Sequence, residues 1–365
     1  QTITGVQGTN EADGSSFAAK ADIVIVATGG INGSIEKVKQ HWYQPWGQPP
    51  EKILNGAHPY AVGDLHDATQ KINGSVVNLE KQWNYAAGIQ HYKPRHKDHG
   101  LSLVPPKSAL WLDYTGKRFG PMPLMTPYDT RHIVETICRQ PVKYSWQLLN
   151  RTIANKEFAI SGSEHNALIR DKKFVRFIMK TLLTGSKTLV DKISRECEDM
   201  IVAYSLEEMV EKMNALTGND HVQLEHVQQS VKQYDDQIDR GFKFFNDEQL
   251  RRIAHARQYR GDRVRTCKFQ KINDSNAMPL IAIREFILSR KSLGGIQTDL
   301  SCRVLGQADQ HGQQSYIDGL YAIGEAAGFG GGGMHGLRSL EGTFLGGCVI
   351  TARVAAGAIK GAPLR

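Results

Sequence analysis

Long apolar runs are missing from this 365-residue chain. None approaches the roughly 18 residues that a membrane-spanning helix needs, so no membrane span is expected. No CxxC pair occurs among Cys138, Cys197, Cys267, Cys302 and Cys348. Their odd number and wide separation argue against a disulfide framework and against a zinc site; no metal is expected, and the free thiols fit a reducing, cytoplasmic setting. A block of one charge is also missing. The net charge of +8 is spread along the chain, which disfavours a nucleic-acid partner and suits an anionic small ligand such as a phosphate-bearing cofactor. No internal repeat or low-complexity tract occurs. Position 1 is Gln, not Met, and the first residues read as the middle of a domain, so a preceding segment that carries the partners of the first strands is expected.

With 40% hydrophobic residues, the chain can build one large or two ordinary cores. Ile3 to Val6 reads as a strand, Glu11 to Ser15 as a turn, and a second strand runs into Ala21 to Ala27. Ile23 to Val26 is aliphatic at every position, the mark of a strand covered on both faces in a layered α/β sheet. It ends in Ala27-Thr28-Gly29-Gly30. Short helices are expected over Ser34–Trp42 and Leu65–Ile72, and strands over Ser75–Leu79 and Ala109–Asp113. His91, His96 and His99 sit in a stretch broken by Pro94 and diluted by Lys93, Arg95 and Lys97, which reads as a solvated loop, not a metal site. From Ser145 the period moves toward 3.6, predicting helices over Trp146–Glu157, Lys173–Leu183, Ser205–Leu216 and Gln223–Ile238. The third opens on a capping box, Ser205 with Glu208. The charged, mostly helical middle reads as an insertion between two α/β parts.

Four glycines, Gly330 to Gly333, precede Met334 and His335. They follow a short buried strand, Leu320 to Ile323, with Gly324-Glu325 at its end, and lead to a small-residue helix from Gly342 to about Ala358. Structured elements on both sides argue against a linker. Gly346, Gly347, Ala352, Ala355, Ala356 and Gly357 would let that helix lie very close to a neighbour. A helix start carries free N–H groups and partial positive charge, and glycines let an electron-rich ligand approach it. Glu325 is placed to accept hydrogen bonds from sugar-like hydroxyls. A flavin satisfies both demands, its ribityl chain beside Glu325 and its pyrimidine edge at the helix start. A tight strand–helix connection with a surface Glu is the plainer alternative.

At these residues the chain resembles the fumarate reductase, succinate dehydrogenase and ketosteroid dehydrogenase flavoproteins. Gly319 to Glu325 is similar to their second FAD-binding signature, Ala27-Thr28-Gly29-Gly30 to their ATGG strand end, and Gly294-Gly295 with Thr298-Asp299 to their GG-x-x-x-D segment. Phe158 to Glu164, Tyr259 to Arg263, Gly330 to Gly336 and Leu340 to Gly347 resemble the ketosteroid-dehydrogenase-like branch. The resemblance implies an α/β fold: a partial FAD-binding Rossmann-like domain of the glutathione-reductase type, in residues 1–112 and 286–365, with an inserted, mostly helical α+β cap in 113–285. It implies FAD as cofactor, held by Ala27, Thr28, Gly29, Gly324, Glu325, Gly332, Gly333, Gly342, Thr343, Phe344 and Leu345. It also implies an N-terminal segment of the same flavoprotein with the GxGxxG fingerprint that cradles the pyrophosphate; Gly5-x-x-Gly8 is not that fingerprint.

The activity implied is hydride transfer between flavin N5 and a carbon adjacent to a carbonyl, as in desaturation of a steroid-like ketone, with a small-molecule substrate and an electron acceptor that the sequence leaves open. His335 and Arg338 are the candidate catalytic residues, because they follow the loop expected to face the flavin. His335 would relay a proton and Arg338 would stabilise an enolate oxygen. Arg338 paired with Glu341, and His335 in a capped turn, are the structural alternatives. Lys291 stands where fumarate reductases carry a His, Arg338 lies one place early against their HGxNR motif, and Leu337 stands where close relatives carry Tyr. A fumarate- or succinate-type dicarboxylate oxidoreductase and a non-catalytic flavoprotein fragment remain the rival readings. Without a CxxC pair, a flavin disulfide reductase is disfavoured.

Overall fold

The computed structural model describes residues 2–120, 130–328 and 343–361. Along the chain, β1 (Gly5–Thr9) and β2 (Ser16–Lys20) form a hairpin, followed by β3 (Val24–Val26), α1 (Ile35–Gln40), β4 (Leu54–Asn55), α2 (Asp64–Lys71), β5 (Val76–Val77) and the long β6 (Gln82–Gln90). Then come β7 (Gly100–Val104), β8 (Leu110–Leu112), α3 (Thr130–Cys138), β9 (Tyr144–Asn150), α4 (Arg151–Glu157) and β10 (Ala159–Ile160). A helical stretch follows: α5 (Ala167–Arg170), α6 (Phe174–Leu183), α7 (Lys187–Glu196), strand β11 (Met200–Ala203), α8 (Leu206–Thr217), α9 (Leu224–Arg240), α10 (Glu248–Ala256) and α11 (Arg260–Arg265). The chain closes with β12 (Leu280–Ser292), β13 (Gly295–Ile296), β14 (Arg303–Leu305), β15 (Tyr316–Ala322) and α12 (Thr343–Ile359). Helices and sheets are mixed throughout, as an α/β fold requires.

Two compact units emerge, one of Gln1–Pro45, Ala57–Trp83 and Ser289–Arg365, the other of Trp46–Gly56 and Asn84–Leu288. In the second unit a sheet runs in the order β10-β7-β6-β12-β9-β8, and β4 and β11 also pair with β12. Its pairings are antiparallel where the register is defined, as in Leu280↔Asn150 to Phe286↔Tyr144 and Leu110↔Leu148. Leu280, Ile281, Ala282, Ile283, Ile287 and Leu288 are fully buried, so β12 is covered on both faces. The helices bury one stripe each: Leu206, Met209, Val210 and Met213 on α8, and Val227, Val231 and Tyr234 on α9, the spacing of an amphipathic helix.

The helix expected over Trp146–Glu157 is instead the strand β9 followed by α4. Trp146, Leu148 and Leu149 are fully buried, and the backbone from Trp146 to Leu148 is paired with both β8 and β12; that two-sided pairing outweighs local helix preference. The boundary is Asn150, whose side chain accepts from Ile153 N–H at 3.1 Å and caps α4.

In the first unit β3 lies parallel to β15, in the order β14-β15-β3. Val26, Ile296, Val304, Ile317, Leu320, Ala322 and Ala326 form its core. Here two expectations are corrected. The strand that starts at Ser16 does not continue into β3, because β2 pairs only with β1 among the described strands. And β3 is not covered on both faces: Ile23 and Ile25 are exposed while Val26 is buried, because successive side chains alternate between faces and only one face is packed among the described residues. Along α12, Ala355 is buried against a neighbour, and a methyl group built on Gly324 would lie 3.3 Å from Cys348 Sγ, whereas one built on Gly346 or Gly357 touches nothing within 4 Å among the described residues.

Candidate functional site

The parallel pairing of β3 with β15 sets Leu320 beside Val24, Tyr321 beside Ile25 and Ala322 beside Val26. Both strands therefore end at one level, and Ile323 N–H closes the pairing on Val26 O at 3.0 Å. The carboxyl ends of parallel strands are where open α/β sheets bind ligands. Beyond β3, Ala27 and Thr28 are exposed and Gly29 turns the chain with a φ of +79°. Beyond β15, Gly324 at φ +62° starts a 3-10 turn, Gly324–Ala327, that carries Glu325.

Contact distances explain the paired glycines. A Cβ on Gly30 would lie 2.1 Å from Ser292 Oγ and 3.0 Å from Glu325 Oε1. One on Gly295 would lie 2.5 Å from both Ala326 O and Gly328 N. The Gly294-Gly295 backbone is thus the surface on which the Glu325 turn rests, and a side chain there would displace the turn.

Glu325 is held from both sides. Its Oε1 accepts from Ser292 N–H at 2.9 Å, and its Oε2 pairs with Lys291 Nζ at 3.2 Å. Ser292 Oγ accepts from Ile31 N–H at 2.9 Å and donates to Asn32 Oδ1 at 2.6 Å. Asn32 Nδ2 donates to Ser289 Oγ at 2.9 Å, and Ser289 Oγ returns a bond to Asn32 O at 3.0 Å. This buried ladder fixes the end of β12 against the loop after Gly30. Arg290 is also nearby: burial lowers its pKa, and the Glu325 charge pulls the other way. His66 is buried, and loss of solvent, aided by Lys37, pushes its pKa down to about 4 against an opposing pull from the Ala326 backbone; it is neutral at physiological pH.

The start of α12 reaches the same place. Thr351 Oγ1 accepts from Gly324 N–H at 3.0 Å. Phe344 stacks on Trp83 with centroids 5.3 Å apart, and Lys291 Nζ lies 5.8 Å from the Phe344 ring centre. The structure therefore brings Ala27, Thr28, Gly29, Gly324, Glu325 and Phe344 into one neighbourhood, with Lys291 between Glu325 and Phe344. Thr343 begins α12 and Leu345 is exposed on it. Gly332, Gly333, His335, Arg338 and Gly342 lie outside the described residues. Lys291, which stands where fumarate reductases carry a His, is the ion-pair partner of Glu325. Asn32, Ser289, Ser292 and His66 were missed, because each belongs to the site through buried contacts that no local motif marks.

Elsewhere, Asp262 of the Tyr259-to-Arg263 cluster pairs with Lys107 at 2.8 Å. His91, Glu164 and His165 place potential ligand atoms within 4.8 Å of one another. Yet His91 Nδ1 accepts from Lys93 N–H at 2.9 Å, which leaves the proton on Nε2, the nitrogen facing Glu164.

Residues 1–345 match the family described as FAD binding domain. A KsdD-like steroid dehydrogenase of Mycobacterium tuberculosis is 39% identical over 97% of this chain, which spans 63% of that protein's length. Among solved structures, the 3-ketosteroid delta1-dehydrogenase of Sterolibacterium denitrificans in complex with 1,4-androstadiene-3,17-dione superposes with a TM-score of 0.62 at 17% identity, over 99% of this chain and 57% of that one. A flavocytochrome c3 fumarate reductase superposes with a TM-score of 0.55 at 18% identity, over 97% of this chain and 48% of that one. Identities this low show a shared fold alone. No helix among the described residues is long and apolar enough to cross a membrane. The resemblance read from Gly319–Glu325 and the ATGG strand end is borne out: this chain belongs to the FAD-binding flavoprotein family, with FAD as its cofactor.

Proposed function

We propose that the chain forms the flavin-ring side of an FAD-dependent dehydrogenase that desaturates a carbon–carbon bond beside the carbonyl of a steroid-like ketone. The observation that carries this reading is the pair of open strand ends, with Gly29 and Gly30 on one and Gly324 and Glu325 on the other. The residues fit the group. Gly29 and Gly324 turn the two strand ends at φ +79° and +62°, which leaves their backbone bare beside the site, and Glu325 Oε2 keeps acceptor capacity beyond Lys291 for polyol hydroxyls. Ala27, Thr28, Gly29, Gly324, Glu325, Phe344 and Leu345 would hold the cofactor, with Gly332, Gly333, Gly342 and Thr343 completing the cradle. When bound, the flavin supplies the hydride acceptor. The chain's own task is the proton: His335 takes it from the carbon beside the carbonyl, and Arg338 stabilises the enolate oxygen that develops.

The relative's name supports a steroid-like substrate over a dicarboxylate. So does Lys291, whose charge is already matched by Glu325 and is not free to clamp a second carboxylate. The nucleotide end of the cofactor requires a further segment of the same flavoprotein, and the exposed Ile23, Ile25, Leu345, Val349 and Ile350 give it an apolar surface to cover. Five free cysteines, four of them buried, support a reducing, cytoplasmic setting.

The test is dye-coupled turnover by the whole FAD-loaded flavoprotein. We expect oxidation of 3-ketosteroids, and loss of roughly a hundredfold or more in kcat for His335→Ala. Reduction of fumarate by a reduced dye, without steroid turnover, would establish the dicarboxylate reading instead. A whole protein that binds no FAD would leave only the non-catalytic one.

A further inference from the structure

Helix α6, Phe174–Leu183, carries its apolar side outward. Phe174, Val175, Ile178, Met179 and Leu183 are 51–76% exposed, whereas Phe177 and Thr181 face inward and are half-buried. At 100° per residue the outward group covers roughly half the helix circumference. This inverts the ordinary arrangement, in which the apolar stripe faces the core, and contiguous exposed apolar surface of this kind marks an interaction site. The cations Lys173, Arg176 and Lys180 line one border of the exposed face. Across residues 166–187 there are six Lys or Arg and a single acid, Asp171.

A second observation lies behind the helix. A cavity of about 200 Å³ is lined by Lys156, Lys180 and Arg265, with Phe177, Leu168 and Leu189 as its apolar walls. No acidic side chain lines it, and none of the three cations forms an ion pair among the described residues. Unmatched positive charge beside an outward apolar face is complementary to one kind of surface, a layer of anionic headgroups over acyl chains. A nucleic acid would match the charge but leave the aliphatic face wet, and a neutral apolar partner would leave the cations unmatched.

We propose that α6 docks the flavoprotein on an anionic lipid bilayer, with Phe174, Val175, Ile178, Met179 and Leu183 entering the headgroup–acyl boundary. Lys173, Arg176 and Lys180 then meet lipid phosphates. The contact is peripheral, needs no spanning helix, and holds whichever ketone the enzyme takes.

The experiment is flotation of the whole FAD-loaded flavoprotein with vesicles of phosphatidylcholine alone or mixed with phosphatidylglycerol. We expect flotation on the mixed vesicles only, its reversal by high salt, and a roughly fivefold loss of partitioning for Arg176→Gln. Val175→Glu with Ile178→Glu should abolish flotation while the melting temperature stays unchanged, since both side chains are exposed. Absence of flotation, or flotation that these variants do not alter, overturns the proposal. So does a dimer in solution that the same variants dissolve, which would make a second copy the occupant. Failure of a thiol reagent to label Val175→Cys in the whole flavoprotein without vesicles overturns it as well, by showing that another part of the flavoprotein, or an acidic protein partner, covers the face.

Discussion

β12 in one unit and β3 with α12 in the other use the same residue types and meet different fates. Leu280 to Ile283 of β12 are fully buried, with sheet neighbours on both sides. The aliphatic β3 leaves Ile25 46% exposed, and α12 leaves Leu345 76% exposed. An apolar run states that a segment is to be covered; it does not state by what. Around β12 the second unit supplies its own cover, through paired strands and through α8 and α9, which bury one stripe each; α6 is its exception. The first unit presents finished strand ends and, among the described residues, apolar faces on β3 and α12 that nothing covers.

The largest expected effect tests how self-contained the second unit is. Glu157 is buried, and its carboxylate accepts from Ser108 N–H at 2.9 Å, Ser108 Oγ at 2.6 Å and Cys267 N–H at 2.6 Å. Those three donors tie Glu157 to segments 49 residues before it and 110 residues after it. Glu157→Ala leaves them buried and unmatched, at a cost of about 3–5 kcal/mol. Urea unfolding should show it, both in this chain alone and in the whole flavoprotein. A loss under about 1 kcal/mol would mean that water already serves these donors.

Next in size is a pH effect in the first unit. Burial holds the His66 pKa near 4, below the ordinary 6.5. The unfolded chain therefore binds a proton that the folded chain refuses between these values, so stability is full above pH 6.5 and falls toward pH 4. One such group contributes up to about 3 kcal/mol across that window. His66→Gln should flatten the acid limb of a melting-temperature profile. His99, whose pKa is also depressed to about 4, lies in the second unit and should keep its smaller share, because it is less buried. An unchanged slope would show that His66 protonates without leaving its site.

A smaller effect separates the units directly. Ile25→Ser should cost this chain alone about 1 kcal/mol, for the half of the side chain it already buries, and the whole flavoprotein about 1 kcal/mol more, the value of burying the rest. Equal effects in both would mean that no further segment covers β3.

The parts of the molecule that were legible in the sequence are those written in local chemistry. The helices over 173–183, 205–216 and 223–238 were found within a residue or two at most of their ends, because apolar spacing and caps are local. So were the two strand ends and Glu325, because glycines at φ +79° and +62° leave few other residue choices. What could not be read was written in long-range contact. The strand Tyr144–Asn150 depends on β8 and β12, more than thirty and a hundred residues away. The Asn32–Ser289–Ser292 ladder spans about 260 positions. The openness of β3 depends on what packs against its two faces, not on its own composition.

The smallest expected effect concerns a feature that sequence and structure share only in part. Ser205 Oγ accepts from Glu208 N–H at 3.1 Å, the forward half of the capping box. The return bond is displaced: Glu208 Oε2 accepts from Tyr204 N–H at 2.7 Å, and Oε1 pairs with Lys212 at 2.6 Å. Glu208 therefore stays anchored when Ser205 is removed, and one orphan donor, not two, is exposed. Ser205→Ala should cost about 1 kcal/mol, and Ser205→Asp, which restores an acceptor at the N-cap, only a few tenths. Because α8 packs within the second unit, both values should be the same in this chain and in the whole flavoprotein. A cost for Ser205→Ala that appears only in the whole protein would show that the second unit, too, is completed from outside, and the contrast between the units would fall.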